Sequence, residues 1–563
     1  MKWITPASPN AEIINSLNSF NRIEQQILYN RGFWTESSAR AFLKSDMDLD
    51  ADPYLIKEMR QAVERINFAI KESQAIVIYG DYDADGVTAT ALLAEVLTIV
   101  GAHVDVYFPD RFQEGYGLNH TAVERIAASG ALLLITVDCG VRAIKEVAHA
   151  NKLGLDVIIT DHHLQGEMLP EAMALINPHR TDAEYPNEGL AGVGVAYKLA
   201  RAIFSEKGLP SQEAKALLDL VAIGTIADMV PLTGENRALV KLGLKVINSS
   251  PRRGIKALIN VSGYQEGGID STAIGFGLGP RLNAAGRVRA ALPAYELLME
   301  KDPNKAIDLA RNLDQLNKKR KELTQDVVSR AIKAFMHRDI EPVLMVADLD
   351  FHEGVIGLAA SRISDEFYRP AIVGKIGESH TRASARSIPG FHITDALEKC
   401  SDLLERFGGH AAAAGFSVRN EHLQALQERL VSIAEEETDP EALIPSLVID
   451  SAAEFDELGE STMRFIDQLQ PCGQGNNWPI FSTEQVQVMD SRAVGTDQAH
   501  LKMTLRKESK SFDAIAFRMG DLRGILPDFI DIAYRLERNT YLGYESLQLN
   551  VVDINFPDGD ERS

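Results

Sequence analysis

Cysteine is scarce: Cys139, Cys400 and Cys472 are the only three in 563 residues, too widely spaced for a zinc motif or a disulfide framework. The chain therefore suits a reducing compartment. Long apolar runs are missing as well. The opening Met1-Lys-Trp-Ile-Thr-Pro-Ala-Ser-Pro-Asn10 lacks the continuous apolar stretch of a secretory leader, and no run reaches the roughly 18 residues of a membrane span. The cytoplasm is the expected location, with no membrane partner. Internal repeats and low-complexity tracts are absent too. Positive charge is also short: 58 Lys and Arg stand against 80 Asp and Glu, a net charge of −22, which argues against indiscriminate nucleic-acid binding. Net charge does not describe a groove, however. Acids cluster in stretches such as Glu435-Glu-Glu-Thr-Asp439, while Lys318-Lys-Arg-Lys321 and scattered arginines are available for one face. A narrow basic channel beneath an acidic exterior would suppress loose binding to duplex.

What is present is acid at the ends of apolar runs. Ala75-Ile-Val-Ile-Tyr-Gly-Asp-Tyr-Asp-Ala-Asp-Gly86 reads as a buried strand that breaks into three alternating carboxylates before a helical pattern from Val87 to Val100. Asp81, Asp83 and Asp85 would crowd the carboxyl end of a parallel strand, where open α/β sheets bind ligands. Three carboxylates so close call for cations. An EF-hand would need Glu at the twelfth position of this motif, which is Leu92, and a solvated Asp-rich turn is the other bland reading. Recurrence weakens both. Leu132 to Asp138, Leu155 to Asp161-His162-His163 and Val221 to Asp228 repeat the plan, each reading as a strand ending in an acid. Carboxylates and imidazoles would then converge on one rim of one sheet. Carboxylate with imidazole favours Mn²⁺, two ions in a two-metal site, with Mg²⁺ as the alternative.

The motif at Asp81-Tyr-Asp-Ala-Asp-Gly86 together with Asp161-His-His163 resembles the DHH phosphoesterase superfamily. Phe351-His-Glu-Gly-Val-Ile-Gly-Leu-Ala-Ala-Ser-Arg362, Ala383-Ser-Ala-Arg386 and Phe407-Gly-Gly-His-Ala-Ala-Ala-Ala-Gly-Phe416 look like the associated DHHA1 domain. Pro471-Cys-Gly-Gln-Gly-Asn-Asn-Trp-Pro-Ile-Phe481 looks like the entry to the OB-type domain of the RecJ family of single-stranded-DNA 5′→3′ exonucleases. The family pattern commonly has Trp at Phe351, Phe at Cys472 and Pro at Asn477, departures that touch packing rather than ligands.

The resemblance implies an enzyme of recombination and repair that hydrolyses phosphodiester bonds, with single-stranded DNA as substrate and with a single-strand-binding protein and a helicase as partners. It implies that Asp83 holds one metal, that Asp85, His162 and Asp228 hold the other, and that Asp138 bridges. Asp81 would support the first site and His163 would contact the phosphate or orient water. Ser384 and Arg386, with Arg111, would receive the 5′ phosphate, and Arg281 would touch the backbone near the scissile bond. Tyr116 would stack on a base. Gly408 and Gly409 would let the backbone approach phosphate, to which His410 could donate, with the glycines also reading as the C-cap of a helix from about Asp395 to Arg406.

The expected fold is α/β: a doubly wound, mostly parallel sheet, a long connecting helix, a second α/β domain and a C-terminal OB-type barrel. Pattern breaks place an N-terminal helical segment at 1–48 with Thr35 as a cap, the metal domain at 49–295, the connecting helix at 296–338, the second domain at 339–438 and the barrel at 446–558. In the barrel, Lys502 and Arg506 share one face of a period-two strand, with Lys507 and Lys510 beside them. Three other readings stay open. A haloacid-dehalogenase-like phosphatase would leave His162-His163 unused, a small-nucleotide DHH phosphodiesterase would not need the barrel, and a non-catalytic replication scaffold would not need every ligand position filled.

Overall fold

The computed structural model describes residues 1–44, 51–111, 113–115, 117–288, 290–336, 340–541 and 544–556. The Tyr116 expectation and the ends assigned near 45–48, 337–339 and 557–558 fall outside them.

The apolar runs at 75–80, 133–137 and 156–160 form strands of a fully parallel sheet with the order His103–Tyr107, Ala75–Gly80, Leu133–Val137, Asp156–Thr160, Ala174–Ile176. Their unbroken hydrophobicity follows from burial on both faces. Ile76 and Ile78 enter the core shared with the helix Ala84–Ile99, whereas Val77 and Tyr79 face a second core under His120–Ala128 and Ile144–Lys152. The chain leaves Ala75–Gly80 across one face and returns to Leu133–Val137 across the other. The gap between those two strand ends is thus the topological switch point, where such sheets bind ligands.

One expected strand is a helix. Leu218–Ala227 is α-helical and buried along nearly its whole length, with Asp228 as its C-cap. A short, uniformly apolar run lacks the periodicity that separates a buried strand from a buried helix. Its end still delivers Asp228 to the same rim.

Pro303–Phe335 is a helix of 33 residues, begun by the Asp302 side chain, which accepts from the Asn304 and Lys305 amides. Ala306, Ala310 and Leu313 pack into the metal-domain core, and Val327, Val328 and Ala331 into the core of the next domain. This single helix therefore ties the two domains together. Beyond it lies a mixed sheet in the order Leu404–His410, Ala413–Arg419, His380–Arg386, Ala371–Ile376, Leu344–Asp348. Here Gly408 to His410 lie on the edge strand, and the preceding helix spans only Ile393–Glu398. The predicted C-cap gives way because sheet pairing with 413–419 outweighs a weak local helix preference in a glycine-containing stretch.

The C-terminal strands close into a barrel: Phe481–Val494, His500–Lys507, Lys510–Ala516, Tyr544–Asn555 and Phe529–Tyr541 pair in succession, and the last pairs back to the first. The N-terminal helices share this barrel's core. Leu17, Ile23, Ile27, Leu28, Phe42 and Leu43 pack with Phe455, Phe481 and Tyr534, and Lys2–Ile4 pairs in parallel with Ser446–Val448. Thr35 caps the helix Glu36–Lys44, its hydroxyl accepting from the Ser38 amide at 3.3 Å.

Candidate metal centre and nucleic-acid cleft

Backbone geometry places the ligand atoms first. Asp83 caps the helix Ala84–Ile99, accepting from the Asp85 and Gly86 amides at 3.0 Å each. Asp85, in the first turn of the helix, is buried and accepts from the Gly192 and Val193 amides at 2.7 and 2.9 Å. Asp138 follows its strand in a left-handed conformation with φ +62°, the kind of strain that concentrates at functional sites. Gly192 fits against it because a Cβ there would lie 2.7 Å from the Asp138 carboxylate oxygen.

Three groups of ligand atoms result, each within 4.8 Å of one another: Asp81, Asp83 and Asp138; Asp85, His162 and Asp228; and Asp138, His162 and His163. All seven residues had been singled out from the sequence. Asp138 belongs to two of the groups, the place of a bridge.

The electrostatics fit a cation. Burial pushes Asp81, Asp85 and Asp138 well above the ordinary carboxylate range, and neighbouring carboxylates push them further. Asp228 is raised to about 7 by burial and by Asp83. His162 falls to about 4 through burial, next through the adjoining His163, and is therefore neutral. Its other ring nitrogen bonds the Leu190 backbone, which leaves Nε2 as a lone-pair acceptor. Nε2 lies 3.0 Å from Asp138 Oδ1, yet neither atom has a hydrogen-bond partner. Two buried acceptors facing each other are satisfied by a metal ion.

Asp161, which the sequence reading did not assign, is the organiser. Its carboxylate accepts from the Val141, His162 and His163 amides and from His163 Nδ1 at 2.7 Å. Burial opposes ionisation of both partners, but their bond prevails: Asp161 stays below its usual range and His163 rises to about 9. The first letter of the Asp161-His-His motif is the signal that could have found it. Asn283 was missed too; its side-chain oxygen accepts from the Ala84 amide at 2.8 Å and ties the metal loop to the helix Gly279–Val288.

Close glycine contacts link this centre to the second domain. A Cβ on Gly286 would lie 2.3 Å from the Tyr82 carbonyl oxygen, one on Gly354 would lie 2.0 Å from that of Arg287, and one on Gly357 would lie 3.0 Å from Ser384 Oγ and 3.2 Å from an Arg386 nitrogen. Gly357 is the second residue of the helix Ile356–Phe367, so the start of that helix, Ser384 and Arg386 lie together and could form an anion cradle. Arg386 donates to Ser384 Oγ at 3.1 Å.

The strand register extends the cradle. Ser384 pairs with Gly415 and Gly415 with Gly408, while Arg386 pairs with Ala413 and Ala413 with His410. Directly paired residues share a face, so Ser384, Arg386, Gly408 and His410 lie along one open face, floored by small residues. Gly409 faces the other way, with φ +157°. Arg111 stands on the metal-domain side, its guanidinium 5.0 Å from the Tyr82 ring centre. Arg281 is engaged elsewhere: it donates to Asp314 on the long helix at 2.8 and 3.0 Å and to the Gly277 carbonyl at 2.8 Å. In the barrel, Arg506 bonds Gln487 and Lys507 bonds the Glu484 carbonyl at 2.7 Å each, and Lys510 bonds the Leu458 carbonyl.

Comparison with known proteins agrees with this architecture. Residues 75–225 match the N-terminal domain of the DHH family, 340–436 the DHHA1 domain and 449–553 the RecJ OB domain. The chain is 42% identical over 562 residues to the single-stranded-DNA-specific exonuclease RecJ of Bacillus subtilis, covering 98% of this chain and 70% of that one. It is 36% identical over 523 residues to RecJ of Escherichia coli, covering 88% and 90%. The crystal structure of RecJ in complex with Mn²⁺ from Thermus thermophilus superposes with a TM-score of 0.85 at 29% identity, over 99% of this chain and 80% of that one. The corresponding Mg²⁺ complex gives 0.79 at 27% identity, over 99% and 79%. With all three domains in order and this identity over nearly its whole length, the chain belongs to the RecJ family of single-stranded-DNA-specific exonucleases.

Proposed function

We propose that this protein is a single-stranded-DNA exonuclease that removes nucleotides from the 5′ end. The observation that carries the reading is a carboxylate–imidazole centre joined, through the Gly286–Tyr82 and Gly354–Arg287 contacts, to the Ser384–Arg386 group of the second domain. Asp83, Asp81 and Asp138 would hold one Mn²⁺, and Asp85, His162, Asp228 and Asp138 a second, with Mg²⁺ as the alternative. When bound, the ions supply Lewis acidity to the phosphate and offset the charge that develops on it.

The chain's own groups do the rest. His163, held protonated by Asp161, places positive charge beside the cluster to meet the phosphate. Arg386, Ser384 and the amides at the start of Ile356–Phe367 receive the terminal 5′ phosphate, arginine's planar fork suiting its oxygens. Arg111 closes the pocket from the metal-domain side, Gly408 and His410 border the same face, and Tyr116 supplies a stacking ring. Arg281, clamped to Asp314, positions the long helix against the site and serves the backbone through that placement. The barrel holds the strand at a distance from the chemistry. Action in recombination and repair, and contacts with a single-strand-binding protein and a helicase, belong to the same reading. Among the described residues no helix is long and apolar enough to cross a membrane.

The test is direct: incubate the protein with strands labelled at either end in the presence of Mn²⁺. Immediate release of a 5′ label as mononucleotide, with progressive shortening of the 3′-labelled strand, is expected. Loss from the 3′ end, or equal attack on duplex, contradicts the proposal.

A further inference from the structure

The main chain of the two site histidines is held by side chains. Thr160 ends its strand paired with Ile176, and the Asp161 amide donates to the Ile176 carbonyl at 3.1 Å. Sheet pairing stops there, because Pro178 follows and a proline has no amide to offer a neighbouring strand. His162 and His163 therefore leave the sheet with two amides and two carbonyls that no strand satisfies. Polar main-chain groups in a protein interior need partners, and side chains supply all four. The Asp161 carboxylate takes both amides, at 2.7 and 3.1 Å. The Asn177 side-chain nitrogen donates to the His163 carbonyl at 2.8 Å, and His179 Nδ1 donates to the His162 carbonyl.

The two donors are themselves fixed. A carbonyl oxygen can only accept, so the bond to His162 requires the hydrogen on His179 Nδ1. Asn177 is fully buried, and its side-chain oxygen accepts from the His179 amide at 2.7 Å, which locks the two residues together. Arg180 braces the same segment, donating to Glu58 at 2.6 Å, to Asp182 at 2.8 and 3.0 Å and to the Leu175 carbonyl at 3.0 Å. Ile176-Asn-Pro-His-Arg180 is therefore a bracket rather than a loose connection.

Neither side chain belongs to the candidate ligand groups, yet each fixes where one imidazole stands. His162 is held at two points, its carbonyl on His179 and its ring on the Leu190 backbone, which brings Nε2 to 3.0 Å from Asp138 Oδ1. His163 is likewise held at its carbonyl by Asn177 and at Nδ1 by Asp161. We propose that Asn177 and His179 are positioning residues of this centre, His179 setting His162 as a metal ligand and Asn177 setting His163 toward the phosphate. The inference rests on the exonuclease reading of the two histidines and deepens it. Groups that orient metal ligands typically govern a factor of about 10–100 in metal affinity or activity.

The test uses the full chain and reads Mn²⁺ affinity by titration calorimetry, binding of a 3′-fluorescein oligothymidylate in EDTA by anisotropy, and kcat and KM on a 5′-phosphorylated strand. His179→Phe keeps a ring and removes the donor. It is expected to weaken Mn²⁺ binding about tenfold or more, with native circular dichroism and unchanged strand binding in EDTA. His179→Asn, whose side-chain nitrogen can stand where Nδ1 does, should restore most of the affinity. Asn177→Asp keeps the shape and the acceptor for the His179 amide but turns an oxygen toward the His163 carbonyl. At saturating Mn²⁺ it is expected to lower kcat about tenfold or more while KM holds. Wild-type Mn²⁺ affinity in His179→Phe, or wild-type kcat in Asn177→Asp, would overturn the role given to that residue. Equal losses in His179→Phe and His179→Asn, loss of strand binding in EDTA, or loss of native circular dichroism would also overturn it, since each marks a structural role. If the wild type binds Mn²⁺ and shortens single strands while the variants match it, only the positioning role falls. If the wild type does neither, the exonuclease reading falls and takes the proposal with it.

Discussion

Replacing Asp138 by Asn should make the metal-free protein more stable while abolishing its response to Mn²⁺. Asp138 Oδ1 faces His162 Nε2 at 3.0 Å without a hydrogen bond between them, and Asp81 and Asp83 offer oxygens within 4.8 Å. Two carboxylate charges at that separation repel by about 3 kcal/mol at an effective dielectric of about 20. Protonation within the cluster relieves part of this, so neutralising Asp138 should return about 1–3 kcal/mol. Asn keeps the shape and offers an N–H to His162, turning two opposed acceptors into a donor and an acceptor. The wild type should instead gain from metal by mass action, about 2.7 kcal/mol at a free concentration near 100 times Kd. The assay is thermal unfolding of both proteins in EDTA and in Mn²⁺. The expected order is Asp138→Asn above wild type in EDTA and the reverse in Mn²⁺. If the variant melts below wild type in EDTA, or gains as much from Mn²⁺, the facing acceptors are not a metal site.

Asp83→Ala, Asp138→Ala and His162→Ala should each reduce turnover to under about a tenth of wild type in a strand-shortening assay while circular dichroism stays native, because two-metal activation supplies several kcal/mol. Apparent Mn²⁺ affinity should rise with pH: Asp228, raised to about 7, binds a proton below that value and competes with the ion, so titration calorimetry should show tighter binding above about pH 7 than near pH 6. Arg386→Ala should erase the preference for 5′-phosphorylated over 5′-hydroxyl strands, and an unchanged ratio would refute the cradle. A chain ending at residue 442 should aggregate, because Leu17, Ile23, Ile27 and Phe42 lose the barrel that covers them; a 51–442 piece should be more soluble by gel filtration and cleave very short oligonucleotides without degrading long strands processively.

The candidate metal centre was legible because its carboxylates and imidazoles follow apolar runs that could only be buried. Asp81, Asp83, Asp85, Asp138, His162 and His163 each sit within a few residues of a strand end, and strand ends of a parallel sheet share a rim whatever the details of the loops. Asp228 was found for a partly mistaken reason: its helix shows the same unbroken hydrophobicity as a central strand, and burial on every side removes the periodicity that would separate them. The Gly408 to His410 stretch failed differently, since only the partner strand at 413–419 reveals it as sheet. Asp161 was hidden by its own motif, two histidines drawing attention from the carboxylate that orients them. The fold of the N-terminal helices on the barrel is a contact across more than 400 residues, and local pattern carries no trace of it.

The acidic balance of the chain acquires a physical meaning from this arrangement. Many of its arginines are matched to acids, as Arg281 is to Asp314, Arg538 to Glu460 and Arg22 to Glu457, so they contribute little long-range field. Arg386, in the group that the proposed function assigns to the 5′ phosphate, donates to Ser384 and to a backbone carbonyl and has no acidic partner among the described residues. A surface of net negative charge repels duplex at a distance, while a flexible single strand can thread between domains to reach cations that no carboxylate has neutralised. Selectivity for single strands then requires no reading of sequence.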